Sequence, residues 1–336
     1  MTYRLLFALL AISLTACSST LKRTPSTNTA ATLNSEQALR IQYLGVGGHI
    51  ISVGERHVIA APSFTNPHFL LSGPFMPLSS DHDKVDRYMP KVPNAEMLLV
   101  GHAHYDHLLD VPRVATQQAP NVRIYGSQTT VNTLSAALDP DRLVAMNTIM
   151  ASGSTPGQWL YNQQRDVRIM AIESGHAPHI AGIKFMSGTV PKPLSDLPWH
   201  SFGWKEGQTL AFLIDFLDAS GNIQHRVYYQ DAASQAPLGL LPQLADNKRV
   251  DVAILCPASF SQVEDYPEAI VRDTGARHFI LGHWEDFFAN DLEGEQRFVR
   301  LTDEDEFIQR LEQSMPDDSR WVLPALFTTY TFEPTS

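Results

Sequence analysis

A chain of 336 residues with 43% apolar side chains can bury a large core, and its formal charge of −11 with no lysine or arginine cluster removes the electrostatic drive for nucleic-acid binding. Only Cys17 and Cys256 are present, so stability is expected from packing and not from a disulfide framework. Cys256 ends the apolar run Val252-Ala253-Ile254-Leu255 and reads as a packing residue.

At the N-terminus, Arg4 precedes a ten-residue apolar run, Leu5 to Leu14, which is too short to span a bilayer. Leu14-Thr15-Ala16-Cys17 resembles the bacterial lipobox. That resemblance implies a signal peptide at 1–16, a lipid on Cys17 and, from Ser18, outer-membrane sorting. Residues 17–38, rich in Ser, Thr and Asn, read as a flexible tether, and 39–336 as one domain. The expected location is the bacterial cell envelope, lipid-anchored at the outer membrane and facing the periplasm, with the membrane as a partner through Cys17.

Strand-like runs follow at 41–44, 49–53, 58–60, 97–100, 122–125, 167–172, 209–214, 226–229, 252–255 and 279–281. Helical patterns fall at 108–118, 128–138, 238–246, 263–274 and 303–313. The mixture predicts two packed sheets flanked by helices. Gly45-Val46-Gly47-Gly48 reads as a tight turn between strands, because neither a lysine nor a helix start follows to make it a phosphate loop. Two insertions rich in proline and aromatic residues, 62–93 and 187–204, read as binding elements.

The chemistry concentrates in Gly101-His102-Ala103-His104-Tyr105-Asp106-His107, directly after the apolar run Met97 to Val100. In extended backbone His102 and His104 point the same way and can converge on one ion. Asp106 and His107, carried round the next turn, are free for a second. Chance produces such a pattern in roughly one chain in a thousand at this histidine content.

On this motif the chain resembles the metallo-β-lactamase superfamily, whose members place H-x-H-x-D-H after a strand and draw further ligands from later loops. The matching positions are His176 in Gly175-His176-Ala177-Pro178-His179, Asp231 after Tyr228-Tyr229-Gln230, and His283 in Gly282-His283-Trp284-Glu285-Asp286. The resemblance runs from about Ile41 to Phe288.

It implies an α/β fold, a four-layer αββα sandwich, with two divalent ions: zinc first, manganese or iron as alternatives. His102, His104 and His176 would hold one ion and Asp106, His107 and His283 the other, with Asp231 bridging. A bridging hydroxide would be the nucleophile, with Asp106 or Asp231 managing the proton and His179 meeting substrate or an oxyanion. Within the superfamily the motifs look most like those of N-acyl-phosphatidylethanolamine phospholipase D and the L-ascorbate phosphate lactonase group. Hydrolysis of a phosphodiester, ester or lactone in a small-molecule or lipid substrate is therefore expected. The alternatives are an iron-dependent oxidoreductase of the same fold and a non-catalytic binding lipoprotein. Two positions depart from the family pattern: Gln230 stands where a glycine usually precedes the bridging aspartate, and Ala61-Pro62 where Asp-Pro usually ends an early strand.

Overall fold

The computed structural model describes residues 36–68, 76–179 and 181–333. The expected signal peptide, Cys17 and most of the tether lie outside these residues. The last tether positions are packed on the domain: Ala38 is buried, and the Gln37 carbonyl lies 2.7 Å from His225 Nε2.

Among the described residues, runs of β-branched, aromatic and leucine residues build fourteen strands in two sheets. The first sheet holds β1 (Leu39–Gly45), β2 (Gly48–Val53), β3 (Arg56–Ala60), β4 (Met97–Leu99), β5 (Arg123–Gly126) and β6 (Leu143–Ala145). The second holds β7 (Leu160–Tyr161), β8 (Val167–Glu173), β9 (Leu210–Leu217), β10 (Ile223–Tyr229), β11 (Val252–Leu255) and β12 (His278–Leu281). Of the last two strands, β13 (Arg320–Val322) joins the second sheet beside β12, and β14 (Thr329–Phe332) joins the first beside β1. Each sheet changes from antiparallel to parallel pairing at its central strand, β3 in one and β10 in the other.

Alternation along the strands divides the core into three slabs. Met97 and Leu99 of β4 pack with Phe212, Ile214, Val227 and Tyr229 between the sheets. Leu98 and Val100, one residue out of phase, face a layer containing Val85, Leu108 and Leu134. On the far side Leu213 and Tyr228 meet Ile270, Phe307 and Leu311. Helices α1 (His82–Tyr88), α2 (Tyr105–Leu108), α3 (Val111–Arg113) and α4 (Gln128–Leu134) supply the first outer layer, while α5 (Glu268–Thr274) and α6 (Glu304–Ser314) supply the second. The result is the four-layer αββα sandwich. Among the described residues no helix is long and apolar enough to cross a membrane.

The helical expectations need four corrections, the first being that the pattern at 263–274 is helical only from Glu268, as α5. The pattern at 108–118 is helical only from Val111, as α3 continued by a wider helical turn at Val114–Gln118; α2 ends at Leu108, whose carbonyl Pro112 has no N–H to meet. The pattern at 128–138 ends as α4 at Leu134, where the Ser135 hydroxyl donates to the Val131 carbonyl. No helix forms at 238–246: Gly239 takes the left-handed region (φ 83°) and Pro242 interrupts the run, so Leu240, Leu241 and Leu244 pack from irregular backbone. Conversely, the insertion 62–93 contains α1, started by Asp81 accepting the Lys84 N–H at 3.1 Å.

Candidate metal centre

The carboxyl ends of β4, β8, β10 and β12 open at one end of the sandwich, and each feeds a loop carrying expected ligands. After β4, His102 and His104 lie on extended backbone with ring centroids 4.7 Å apart, and α2 then carries Asp106 and His107. His176 follows β8 and its ring lies 4.6 Å from that of His102 and 5.0 Å from that of His104. Asp231 follows β10, with Oδ1 3.1 Å from His102 Nδ1 and Oδ2 3.4 Å from His107 Nδ1. Beyond β12, His283 brings Nε2 to 3.3 Å from Asp106 Oδ2.

Ligating atoms therefore cluster in three groups, His102-His104-His176, His102-His107-Asp231 and Asp106-His107-His283, each within 4.8 Å. Asp231 stands between the other two, where a bridging carboxylate would be. His179 belongs to no group. It stacks on His176 at 4.9 Å and lies 5.6 Å from His104, while its Nδ1 accepts the Phe185 N–H.

These residues fit a pair of cations. His102 Nε2, His104 Nε2, both nitrogens of His107 and Nδ1 of His283 are buried without a hydrogen-bond partner, an arrangement that costs free energy unless something electron-poor sits among them. Tautomers are set from outside: the Met186 carbonyl takes a hydrogen bond from the His104 ring, and the Ala177 carbonyl lies 2.6 Å from His176 Nδ1. Burial lowers His104 to about 4, and burial with neighbouring imidazoles pushes His102 and His176 well below the usual histidine range. All three are thus neutral donors at neutral pH, as metal binding requires. Burial pushes the Asp106 carboxyl up, but His107 and His283 overcome that and hold it well below the carboxylate range.

The backbone close to the cluster explains two glycines. A Cβ on Gly101 would lie 2.2 Å from Asp231 Oδ1, and the Gly101 N–H donates to Oδ2 at 3.1 Å. A Cβ on Gly47 would lie 2.6 Å from His107 Nδ1. The turn Gly45-Val46-Gly47-Gly48 does join two strands, as expected, but it is also part of the site: the Tyr229 hydroxyl donates to the Gly47 carbonyl at 2.9 Å, and the His283 N–H donates to the Val46 carbonyl at 2.7 Å.

Gln230 bears on the site differently from what its position suggested. Alternation puts Tyr229 and Asp231 on one side of the strand and Gln230 on the other, where its Nε2 reaches Ser234 Oγ at 2.6 Å and Ser174 Oγ at 3.1 Å. Close approach to Asp231 is provided by Gly101 instead. Sequence reading missed the roles of Gly47, Gly101, Tyr43 and Glu285. The glycines and Glu285 were visible within the quoted motifs, but their partners are distant in the chain. Tyr43 is raised well above the usual phenol range by burial and by Glu285, so it remains a hydroxyl donor.

Beside His179 lie Phe185, whose ring is 5.6 Å from it, and Ile183, exposed at 56%, whose carbonyl accepts the His179 N–H. In the second insertion Trp199 is 58% exposed.

No protein-family model matches the chain, and no curated protein matches it. Among solved structures it is similar to Igni18, a metallo hydrolase from the archaeon Ignicoccus hospitalis KIN4/I, at 13% identity and TM-score 0.53, covering 89% of this chain and 100% of that one. The metallo-β-lactamase fold protein YhfI from Bacillus subtilis matches at 13% identity and TM-score 0.49, covering 88% and 99%. A possible metal-dependent hydrolase from Veillonella parvula DSM 2008 matches at 15% identity and TM-score 0.45, covering 88% and 100%. The likeness to Igni18 is one of fold, two mixed sheets packed face to face between helical layers.

Proposed function

We propose that the chain is a binuclear metal-dependent hydrolase acting on a phosphodiester, ester or lactone. The observation that carries this reading is the convergence of five imidazoles, four of them buried, and two carboxylates in groups whose ligating atoms lie within 4.8 Å of one another, with unpartnered nitrogens on His102, His104, His107 and His283. His102, His104 and His176 would hold one ion, Asp106, His107 and His283 the other, and Asp231 both. When bound, such a pair supplies an activated water at neutral pH and a Lewis acid for the substrate oxygen, with zinc the first choice.

The chain's own groups do the rest. Asp231, fixed by the Gly101 N–H, and Asp106 are the carboxylates within reach to accept the proton lost by the attacking water. His179 stands at the mouth, positioned to touch the group that leaves or the oxygen that gains charge. Exposed Ile183 and Phe185 beside His179 suit a substrate with an apolar part, such as a lipid.

The test is a panel of phosphodiesters, lactones, thioesters and β-lactams assayed with purified, zinc-loaded protein. Hydrolysis of at least one of the first two classes is expected, falling more than about 100-fold in His104→Ala and Asp231→Ala, beyond the usual effect of removing a metal's outer supports. Oxygen-dependent oxidation with bound iron, and no hydrolysis, would sink the reading.

Anchoring through a lipid on Cys17, at the outer membrane facing the periplasm, is part of the same proposal and rests on Leu14-Thr15-Ala16-Cys17. Labelled palmitate should enter the wild-type chain and not Cys17→Ala. Equal labelling of both would remove the anchor.

A further inference from the structure

Glu285 is buried, 1% exposed, two residues beyond His283. Its oxygens are taken by the turn between β1 and β2. Oε1 accepts the Val46 N–H at 2.6 Å, and the Tyr43 hydroxyl donates to Oε2. Val46 answers by accepting the His283 N–H through its carbonyl at 2.7 Å, and Tyr43 Oη lies 3.1 Å from the same nitrogen.

Both residues joined in this way are in the left-handed region, Val46 at φ 52° and His283 at φ 53°. Side chains with a Cβ occupy that region only when their surroundings enforce it, and a β-branched valine least readily. The carboxylate is the enforcing group. Gly45, at φ 102°, allows it to come close, since a Cβ there would lie 3.0 Å from Oε1.

The turn held in this way meets the Asp106-His107-His283 half directly and reaches Asp231, between the halves, through the Tyr229 hydroxyl, 2.9 Å from the Gly47 carbonyl and 3.4 Å from Asp231 Oδ2. Gly47 packs on His107, and Val46 holds His283. His104 and His176, in the other half, are oriented by the Met186 and Ala177 carbonyls.

We propose that Glu285 is a positioning residue that latches the Gly45–Gly48 turn to His283 and so sets the Asp106-His107-His283 half of the centre independently of the His102-His104-His176 half. The proposal rests on the two-metal reading above. It predicts unequal damage to the two ions.

The experiment titrates chelator-stripped protein with zinc against a chromophoric competitor and counts bound ions by elemental analysis, for wild type, Glu285→Met, Glu285→Gln and Tyr43→Phe. Wild type should bind two ions. Glu285→Met, which keeps the volume and loses both acceptors, should keep one ion at wild-type affinity and bind the second about 10–100-fold more weakly. Glu285→Gln can still accept from Val46 and meet the Tyr43 hydroxyl, so it should restore most of the second affinity. Should Glu285→Met not fold, Tyr43→Phe carries the test, with only the second ion weakened.

Equal weakening of both ions, or wild-type affinity for both in Glu285→Met, would overturn the latch. So would an unchanged second affinity in Tyr43→Phe where that variant carries the test. Two ions in wild type, with both affinities unchanged in Glu285→Met, defeat the latch alone, whereas fewer than two in wild type defeats the two-metal reading and the latch with it.

Discussion

The carboxylate of Asp231 reaches the middle of the centre because Gly101 has no side chain. A methyl group there would overlap Oδ1 at 2.2 Å, and a shift in either backbone would break the 3.1 Å bond that fixes the carboxylate. Gly101→Ala is therefore expected to lose at least one of two bound ions, as measured by elemental analysis. Gln230→Ala provides the contrast. Its amide faces Ser174 and Ser234 and not the cluster, so its loss should cost about 1–3 kcal/mol in denaturant unfolding and leave metal content unchanged. If the two variants exchange phenotypes, the assignment of close approach to Gly101 is wrong.

The loops are held to the sandwich by specific buried groups, and Asp110 is the plainest case. Its carboxylate accepts the N–H groups of Phe64 and Thr65 at 2.7 and 2.8 Å, the Thr65 hydroxyl at 2.7 Å and the Ser80 hydroxyl at 2.6 Å. It thus pins Phe64, Thr65 and Ser80 of the first insertion to the segment between α2 and α3. Asp110→Ala should lower the unfolding free energy by roughly 2–3 kcal/mol and increase proteolytic cutting within 62–80. Unchanged cutting would show that the insertion is held by other contacts.

How much was legible in advance depended on sequence distance. His102, His104, Asp106 and His107 stand in one local pattern, and β4, β8, β10 and β12 ahead of the candidate ligands each contain an uninterrupted apolar run of at least three residues, so both could be read directly. Strands β6, β7, β13 and β14 are two to four residues long and partly exposed, with too little periodicity to notice. Helix α1 buries only Val85, so its apolar stripe is almost absent. The false helix at 238–246 arose because leucines needed for packing on the second outer slab happened to repeat at helical spacing around Gly239 and Pro242. Latches such as Glu285 to Val46 join residues 239 positions apart, and no pattern in one sequence marks them.

At the scale of the molecule the centre is a seam. His102, His104, Asp106 and His107 come from the first sheet, while His176, Asp231 and His283 come from the second, so bound ions would cross-link the open end of the sandwich. Binding only to the folded form stabilises by about 4 kcal/mol at a free-ion concentration 1,000 times Kd, which for a domain of this size is roughly 6 °C in Tm. The most direct test of the central claim is elemental analysis of the purified protein alongside its Tm before and after chelation. The account predicts close to two divalent ions per chain and a Tm that falls on chelation and returns with zinc. A metal-free protein whose Tm neither chelator nor zinc can move would contradict it.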